Sequence, residues 1–178
     1  IINAKPDIKI YQGQEVTESN LKALNEKGLL KKYGILHFAT HGMSSMQDNE
    51  NAIVLSEPAD GTQDGFLGFY EISQLKLQAQ LVCLSACESA EATPDEFAMY
   101  NLPAAFFMAG ANAVIATGWK IDDEATAVFM GEFYRQVFKE KQSFSDALYL
   151  TKQKFISGQF GETYKAPYYW GSFKYYGH

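Results

Sequence analysis

The stretch that decides the fold is ILHFATHG, residues 35–42. Its first five residues form a mainly apolar run of strand length, and its last three are a polar turn that ends in glycine. A second run of the same kind, LVCLSAC at residues 81–87, also ends in small polar residues. Strands that are apolar on both faces are typical of buried parallel sheets. We therefore predict buried strands over Ile35–Ala39 and Leu81–Ala86.

Outward from these runs, extended and helical patterns alternate along the chain. Further strands are predicted at Ala113–Thr117, which is buried, and at Ile8–Tyr11, Ala52–Leu55 and Ser172–Tyr176, the last at a sheet edge. Helices are predicted from a Thr17 or Ser19 cap to about Lys32, as a short turn within Leu67–Leu77, from Asp123, and from a Ser143 cap. A further helix is predicted over Phe97–Ala109, in which Pro103 places a start or a kink near Asn101. Ser56–Gly68 is predicted as a loop. Helices between buried strands imply parallel crossovers, so we predict an α/β fold in one domain over residues 1–178, with a mostly parallel central sheet flanked by helices.

Composition narrows the class of protein. Of the 178 residues 47% are hydrophobic and 20% are charged, as in soluble globular domains. A net charge of −6 without basic clusters argues against nucleic acid as a direct partner, and no apolar run reaches the roughly 18 residues of a membrane span. Two cysteines four residues apart do not suit a disulfide framework and favour a reducing cytoplasm. Because the chain starts at Ile1, we interpret it as a piece of a longer protein, with targeting signals outside it.

His41 and Cys87 each follow the end of one of the two most apolar strands. Active sites of open α/β sheets lie beyond the carboxyl ends of the strands, so we expect both residues at one edge. An imidazole can take the proton of a thiol, the thiolate can attack a peptide carbonyl, and the N–H groups of Gly42 and Cys87 can stabilise the oxyanion. From spacing alone, a small buried cysteine and a histidine in a turn are the more frequent explanation.

Three further segments carry a resemblance to a known family. They are LPAAFFMAGA at 102–111, VIATGWKIDDEAT at 114–126, and the last third of the chain with Phe133-Tyr134, Ala147-Leu148 and PYYWGSF at 167–173. With residues 35–42 and 81–89 they resemble the CHAT family, caspase-like proteins related to separase within the clan CD cysteine peptidases. The resemblance implies a caspase-like three-layer sandwich, a His41–Cys87 catalytic dyad, Gly42 in the oxyanion hole, and neither cofactor nor metal.

The resemblance also implies a substrate preference. In separase-like relatives an aspartate that matches Asp123 helps to form the pocket for a basic P1 side chain, so Asp122, Asp123 and Trp119 are candidate S1 residues. Cleavage after Arg or Lys is expected, through a bidentate charge-assisted pair when the residue is Arg. From the residues alone, a helix N-cap is the favoured role of the two aspartates. Glu88 either supports the loop or contacts His41, and a solvating charge is an equal alternative.

Family members often adjoin repeat domains that gate them in bacterial signalling or defence. The resemblance therefore implies a bacterial, cytoplasmic endopeptidase that acts on a protein or peptide substrate and is regulated by an adjoining repeat domain or partner protein. Family members also have more chain upstream, and in them Thr-Gly follows Cys-Glu where this chain has Ser89-Ala90. The altered loop favours a rival hypothesis, a catalytically silent interaction scaffold. Retention of both His41 and Cys87 favours the peptidase.

Other conspicuous residues are interpreted as structural. His37 and His41 are some 13 Å apart along a strand, by roughly 3.3 Å per residue, so a shared metal is not predicted and His37 is expected to be buried and hydrogen-bonded. Cys83 is predicted to be a core residue. The aromatic clusters at Tyr168–Trp170 and Tyr175-Tyr176 are interpreted as core and edge packing rather than as stacking platforms for bases.

Overall fold

A computed structural model describes residues 7–44, 51–57, 61, 63–85 and 101–177 of the chain. Its strands are Ile35–Phe38 (β1), Gly42–Ser44 (β2), Asn51–Val54 (β3), Phe66–Gly68 (β4), Leu81–Leu84 (β5), Ala113–Thr117 (β6) and Phe173–Gly177 (β7). Its α-helices are Glu18–Glu26 (α1), Phe69–Ser73 (α2), Leu102–Ala109 (α3), Asp123–Phe138 (α4) and Phe144–Ile156 (α5). Short 3₁₀ turns lie at Gly13–Glu15, Leu30–Lys32, Thr163–Lys165 and Pro167–Tyr169.

The central sheet has the strand order β1-β5-β6-β7. The first three strands are parallel, and β7 pairs antiparallel with β6 at the edge. In register, His37 lies beside Cys83 and Cys83 lies beside Ile115. The predicted α/β fold with a mostly parallel sheet is confirmed, as are the buried strands β5 and β6. The strand predicted at residues 35–39 is present as β1, but its predicted burial is wrong, because β1 pairs on one side only with a described strand and its residues are half-buried or exposed.

Two hydrophobic cores cover the two faces of the central sheet. Because side chains alternate along a strand, Val82 and Leu84 enter one core and Leu81 and Cys83 enter the other. The first core is closed by α2, α3 and residues of β3 and β4, and the second by α4, α5 and the segment that follows α5. Helices on both sides of a sheet make a three-layer sandwich, so the caspase-like architecture is confirmed.

A second sheet with the order β2-β3-β4 is antiparallel. The sequence predicted only β3 here, and the predicted loop Ser56–Gly68 in fact ends in β4. Strands of three residues, such as β2 and β4, have too short a pattern to be distinguished from turns. β3 pairs with both of them, so their pairing depends on this central strand.

Two helices begin at the predicted caps Thr17 and Ser143, and a third begins at Asn101, where a start or a kink was predicted. The side-chain oxygens of Thr17, Asn101 and Ser143 each accept a hydrogen bond from a backbone N–H in the first helical turn. The first helix ends at Glu26 rather than near Lys32, because Gly28 follows with a positive φ of 66° that interrupts the helix.

The strand predicted at Ile8–Tyr11 is wrong. These residues have no regular structure and belong to neither sheet. Ile8 and Ile10 are 69% and 64% exposed, so their side chains find no core. A short apolar run becomes a strand only when a neighbouring strand supplies its hydrogen bonds, and among the described residues none does so here.

Candidate active site

A narrow pocket lies at the carboxyl edge of the parallel strands. Side chains that follow β1, β5 and β6, together with the start of α4, line it: Thr40, His41, Ser85, Thr117, Ile121, Asp123 and Thr126. Its volume is about 20 Å³, which is room for about one water molecule. Three residues that lie far apart in sequence, Thr40, Ser85 and Thr117, meet here because parallel strands end at the same edge.

The backbone around His41 is held by the second sheet. The His41 carbonyl accepts a hydrogen bond from the Val54 N–H at 2.9 Å, and the Thr40 hydroxyl donates to the Val54 carbonyl at 2.5 Å. The turn between β1 and β2 is therefore fixed on both sides of the histidine. The side chain of His41 is exposed, so its ring is accessible from solvent.

The N–H of Gly42 points out of the antiparallel ladder. Gly42 lies opposite Ile53, and the bond from Val54 N–H to His41 carbonyl makes this a non-hydrogen-bonded pair. In such a pair the N–H and carbonyl of each residue point away from the partner strand. The Gly42 N–H is thus directed away from β3, as a donor to an external oxyanion must be.

Cys87 and Glu88 lie outside the described residues. The last described residue before them is Ser85, whose N–H donates to the Phe38 carbonyl at 3.0 Å. This bond continues the pairing of β1 and β5 one residue beyond β5. The described segment 63–85 thus ends two residues before Cys87, and its last residue is hydrogen-bonded to β1, the strand that leads to His41.

The two neighbouring aspartates, Asp122 and Asp123, line different pockets. Asp122 caps α4, because its carboxylate accepts a hydrogen bond from the Ala125 N–H at 3.1 Å. Asp123 lines the pocket that also contains His41, whereas Asp122 lines a different pocket near the C-terminal segment. The N-cap interpretation therefore holds for Asp122, and Asp123 is the carboxylate that shares a pocket with the histidine.

Trp119 anchors the C-terminal segment. Its indole Nε1 donates to the Tyr168 carbonyl at 3.0 Å, and its backbone N–H donates to the Ser172 hydroxyl at 2.9 Å. Gly171 packs so closely on the indole that a Cβ there would lie 3.3 Å from the ring. Among the described residues that line the His41 pocket, Trp119 is absent.

Comparison with protein families assigns the chain. The model of the CHAT domain matches residues 1–178, which is the full length given. The chain belongs to the CHAT domain family. CHAT domains are caspase-like and related to cysteine peptidases, in agreement with the three-layer sandwich and with the resemblance noted from the sequence. A search of curated proteins returns no match. The described helices lack the combined length and hydrophobicity that a membrane span requires.

One group beside the site of this CHAT domain was misjudged from the sequence. His37 Nε2 is hydrogen-bonded to the Ser85 hydroxyl at 2.8 Å, and His37 Nδ1 to the Tyr134 hydroxyl at 3.0 Å. The predicted hydrogen bonding is confirmed, but the predicted burial is wrong, because His37 is exposed on β1, an edge strand of the central sheet as far as the described residues show. The sequence could not indicate Tyr134 as its partner, since α4 is 97 residues away along the chain.

The electrostatics of His37 follow from these contacts. Desolvation lowers the pKa of His37 to about 4. Both ring nitrogens contact protein hydroxyl groups in place of water, which accounts for this desolvation. His37 is thus neutral at pH 7 and braces Ser85 by a hydrogen bond rather than by charge.

Cys83 is the core residue that the sequence predicted. It is fully buried on β5, and burial raises the pKa of its thiol to about 12. A thiol of this kind is protonated and unreactive at neutral pH. It is therefore a suitable internal reference for the reactivity of Cys87.

Proposed function

We propose that this CHAT domain is a cysteine endopeptidase in which Cys87 is the nucleophile and His41 the general acid and base. The observation that carries the proposal is the register of β1 and β5. Phe38 and Leu84 are partners across the two parallel strands. His41 follows Phe38 by three residues and Cys87 follows Leu84 by three residues. Equal offsets from paired residues on strands about 4.8 Å apart favour a histidine and a cysteine close to each other.

The proposed reaction uses groups of this chain alone. His41 takes the proton of the Cys87 thiol, and the sulfur attacks the carbonyl carbon of the scissile bond. The N–H groups of Gly42 and Cys87 donate to the developing oxyanion, and the outward direction of the Gly42 N–H supports this role. The tetrahedral intermediate collapses to a thioester, and the leaving amine takes the proton from His41. Water then attacks the thioester and gives a proton to His41, which returns it to the leaving thiolate of Cys87.

The experiment that tests the dyad does not need the substrate. We expect iodoacetamide to alkylate Cys87 about tenfold or more faster near pH 6 than an ordinary thiol with a pKa of about 8.5, because an adjacent histidine favours the thiolate. We expect His41→Ala to remove this advantage. The rate at each site is measured by mass spectrometry of peptides after timed labelling across a pH series.

Cys83 serves as control in the same sample, since its burial should leave it unlabelled while the protein is folded. His37→Ala is a matched control for loss of a nearby imidazole. Labelling of Cys87 at the rate of an ordinary thiol, unchanged by His41→Ala, would contradict the peptidase and favour the silent scaffold.

We further propose that the peptidase prefers a basic P1 residue. The position of Asp123 in the pocket of His41 supports this, since a carboxylate in that pocket can pair with a basic side chain. The pocket itself is too narrow to enclose a long side chain, so a P1 arginine must reach Asp123 from its mouth.

We expect peptides with Arg or Lys at P1 to be cleaved at least about tenfold faster than matched peptides with Asp, because the Asp123 carboxylate attracts a basic side chain and repels an acidic one. Peptide-library cleavage followed by mass spectrometry measures the ratio. Asp123→Asn should reduce it towards unity, and faster cleavage after Asp would overturn the preference.

A further inference from the structure

A second, wider pocket lies on the other side of the α4 start. It is lined by Asp122 and by residues of the segment after α5: Phe160, Gly161, Thr163, Tyr164, Tyr168 and Tyr169. Its volume is about 380 Å³, within the range of small-ligand sites and far above that of the pocket at His41. The sequence had indicated only packing for these tyrosines, but Tyr168 is 49% exposed.

The aromatic rings of this pocket are set at right angles to one another. The rings of Tyr168 and Tyr169 have centroids 5.2 Å apart at an interplanar angle of 83°, and those of Tyr164 and Tyr169 are 5.3 Å apart at 84°. Perpendicular neighbours present a face on more than one side of a cleft. The electron-rich faces of several tyrosines around one space are typical of sites for organic cations.

The charge at the rim is negative. Asp122 lines the pocket, and Glu124 lies two residues further on in the first turn of α4. Desolvation, and then the charges of Glu124 and Asp122, raise the pKa of Tyr164. The nearby ammonium of Lys165 is paired with Glu162 at 3.2 Å. Aromatic faces and carboxylates together attract a cation and disfavour an anion or a neutral apolar group.

The walls of the pocket are held in place without a ligand. The Tyr168 carbonyl accepts from the Trp119 indole at 3.0 Å, and the Lys165 carbonyl accepts from the Trp170 indole at 3.1 Å. The ring of Tyr164 packs on that of the buried Phe155, with centroids 5.8 Å apart. A preformed site loses little conformational entropy on binding.

We propose that this aromatic and acidic pocket binds an arginine side chain of the peptide substrate, as a second basic subsite next to the reacting edge. Its use by substrate rests on the proposed peptidase function. Asp122 and Asp123 are consecutive, so the two pockets share the first turn of α4 as a common rim. A guanidinium can stack on a tyrosine and pair with a carboxylate at the same time, which an ammonium does less well. The substrate class is then a peptide with two basic residues near the scissile bond.

The binding test is independent of catalysis and uses the inactive Cys87→Ala chain. N-acetyl-arginine methylamide is titrated into ¹⁵N-labelled protein, and the amide of Gly161 and the indole of Trp119 are followed by NMR. We expect saturable shifts at both, and binding at least about fivefold weaker for the citrulline analogue, which has the same shape without the charge. Tetramethylammonium should bind more weakly than the arginine derivative, because it cannot donate hydrogen bonds.

Two variants locate the site. Asp122→Asn removes the charge but keeps the N-cap, since asparagine caps helices as well as aspartate, and it should weaken arginine binding about threefold or more. Glu26→Gln, which removes an exposed carboxylate of α1 that lines neither pocket, should leave it unchanged. The proposal is overturned if citrulline or tetramethylammonium binds as well as arginine, if the shifts centre on Thr40 and His41 instead of Gly161, or if no shift occurs.

The catalytically active chain completes the test. A peptide with two arginines near the cleaved bond should be hydrolysed at least about fivefold faster than one in which citrulline replaces the second arginine, and Asp122→Asn should abolish this difference. Arginine binding without hydrolysis of any peptide would refute the peptidase and leave the cation site standing. Hydrolysis without a difference between the two peptides would refute the subsite alone.

Discussion

The variant Gly110→Ala should lower the free energy of unfolding by about 4 kcal/mol. Gly110 ends α3 with a φ of +105°, which side-chain-bearing residues rarely adopt. A Cβ added there would lie 2.5 Å from the backbone carbonyl oxygen of Leu77. The clash is with backbone, which cannot rotate away, and Leu77 is itself bonded to the Ala109 carbonyl at 2.7 Å. The variant can relieve the strain and the clash only if α3 shifts away from the segment before β5.

The measurement is urea or thermal unfolding followed by circular dichroism, with a fall in Tm of roughly 10 °C expected for a domain of this size. Gly28→Ala is the matched control, because Gly28 has a φ of +66° and nothing within 4 Å of an added Cβ. It should cost only about 1 kcal/mol, the strain without the clash. Equal losses in the two variants would show that the contact with Leu77 contributes nothing.

The variant Glu132→Gln should lower the free energy of unfolding by about 3 kcal/mol at pH 7. Glu132 is 7% exposed on α4, and its carboxylate accepts from Arg135 at 2.8 Å and from Gln136 at 2.6 Å. It also forms an ion pair with Lys154 of α5 at 2.8 Å, so that it joins the two helices that cover one face of the sheet. Glutamine keeps the size of the side chain but removes the counter-charge of Lys154 and leaves Arg135 with only the exposed Glu140.

The effect should depend on pH with a definite sign. The hydrogen bond from Arg135, opposed by desolvation and assisted by Lys154 and Gln136, lowers the pKa of Glu132 from 4.5 to about 2. A depressed pKa in the folded state means that the stabilisation is fully present above pH 4.5 and is lost as the pH falls towards 2. The difference between wild type and Glu132→Gln should therefore fall to about half by pH 3, as measured by urea unfolding.

Glu140→Gln is the control for this network. Glu140 also binds Arg135, at 2.5 Å, but its side chain is 49% exposed. Exposed ion pairs contribute about 0–1 kcal/mol, so its replacement should change stability little at any pH. A difference for Glu132→Gln that is the same at pH 3 and pH 7 would show that the carboxylate charge is not what stabilises the helix pair.

Helix caps and buried strands were predictable because their signals are local. The N-caps at Thr17, Asn101 and Ser143 bond to N–H groups three residues away, so a short window of sequence contains both partners. The central strands β5 and β6 are apolar on both faces, and that composition by itself indicates burial. Cys83 was correctly predicted as a core residue for the same reason.

The candidate site was predictable only in part. That His41 follows a strand end and is near Asp123 could be expected, because the ends of parallel strands share an edge. The exposure of His37 could not be expected, since its strand is as apolar as a central one and only the sheet order makes it the outermost. The strands β2 and β4 were missed because three-residue strands exist only through the pairing that β3 provides.

The sequence by itself determined the family, the three parallel strands and the residues that could carry chemistry. Each of these depends on short contiguous segments and on the order of those segments along the chain. Only the tertiary structure decided which surroundings two adjacent residues have. Asp122 and Asp123 are adjacent, yet one enters an aromatic pocket and the other the pocket of His41. The physical reason is that a pocket is formed by contacts between segments distant in sequence, here α4 with β1 on one side and with the chain after α5 on the other.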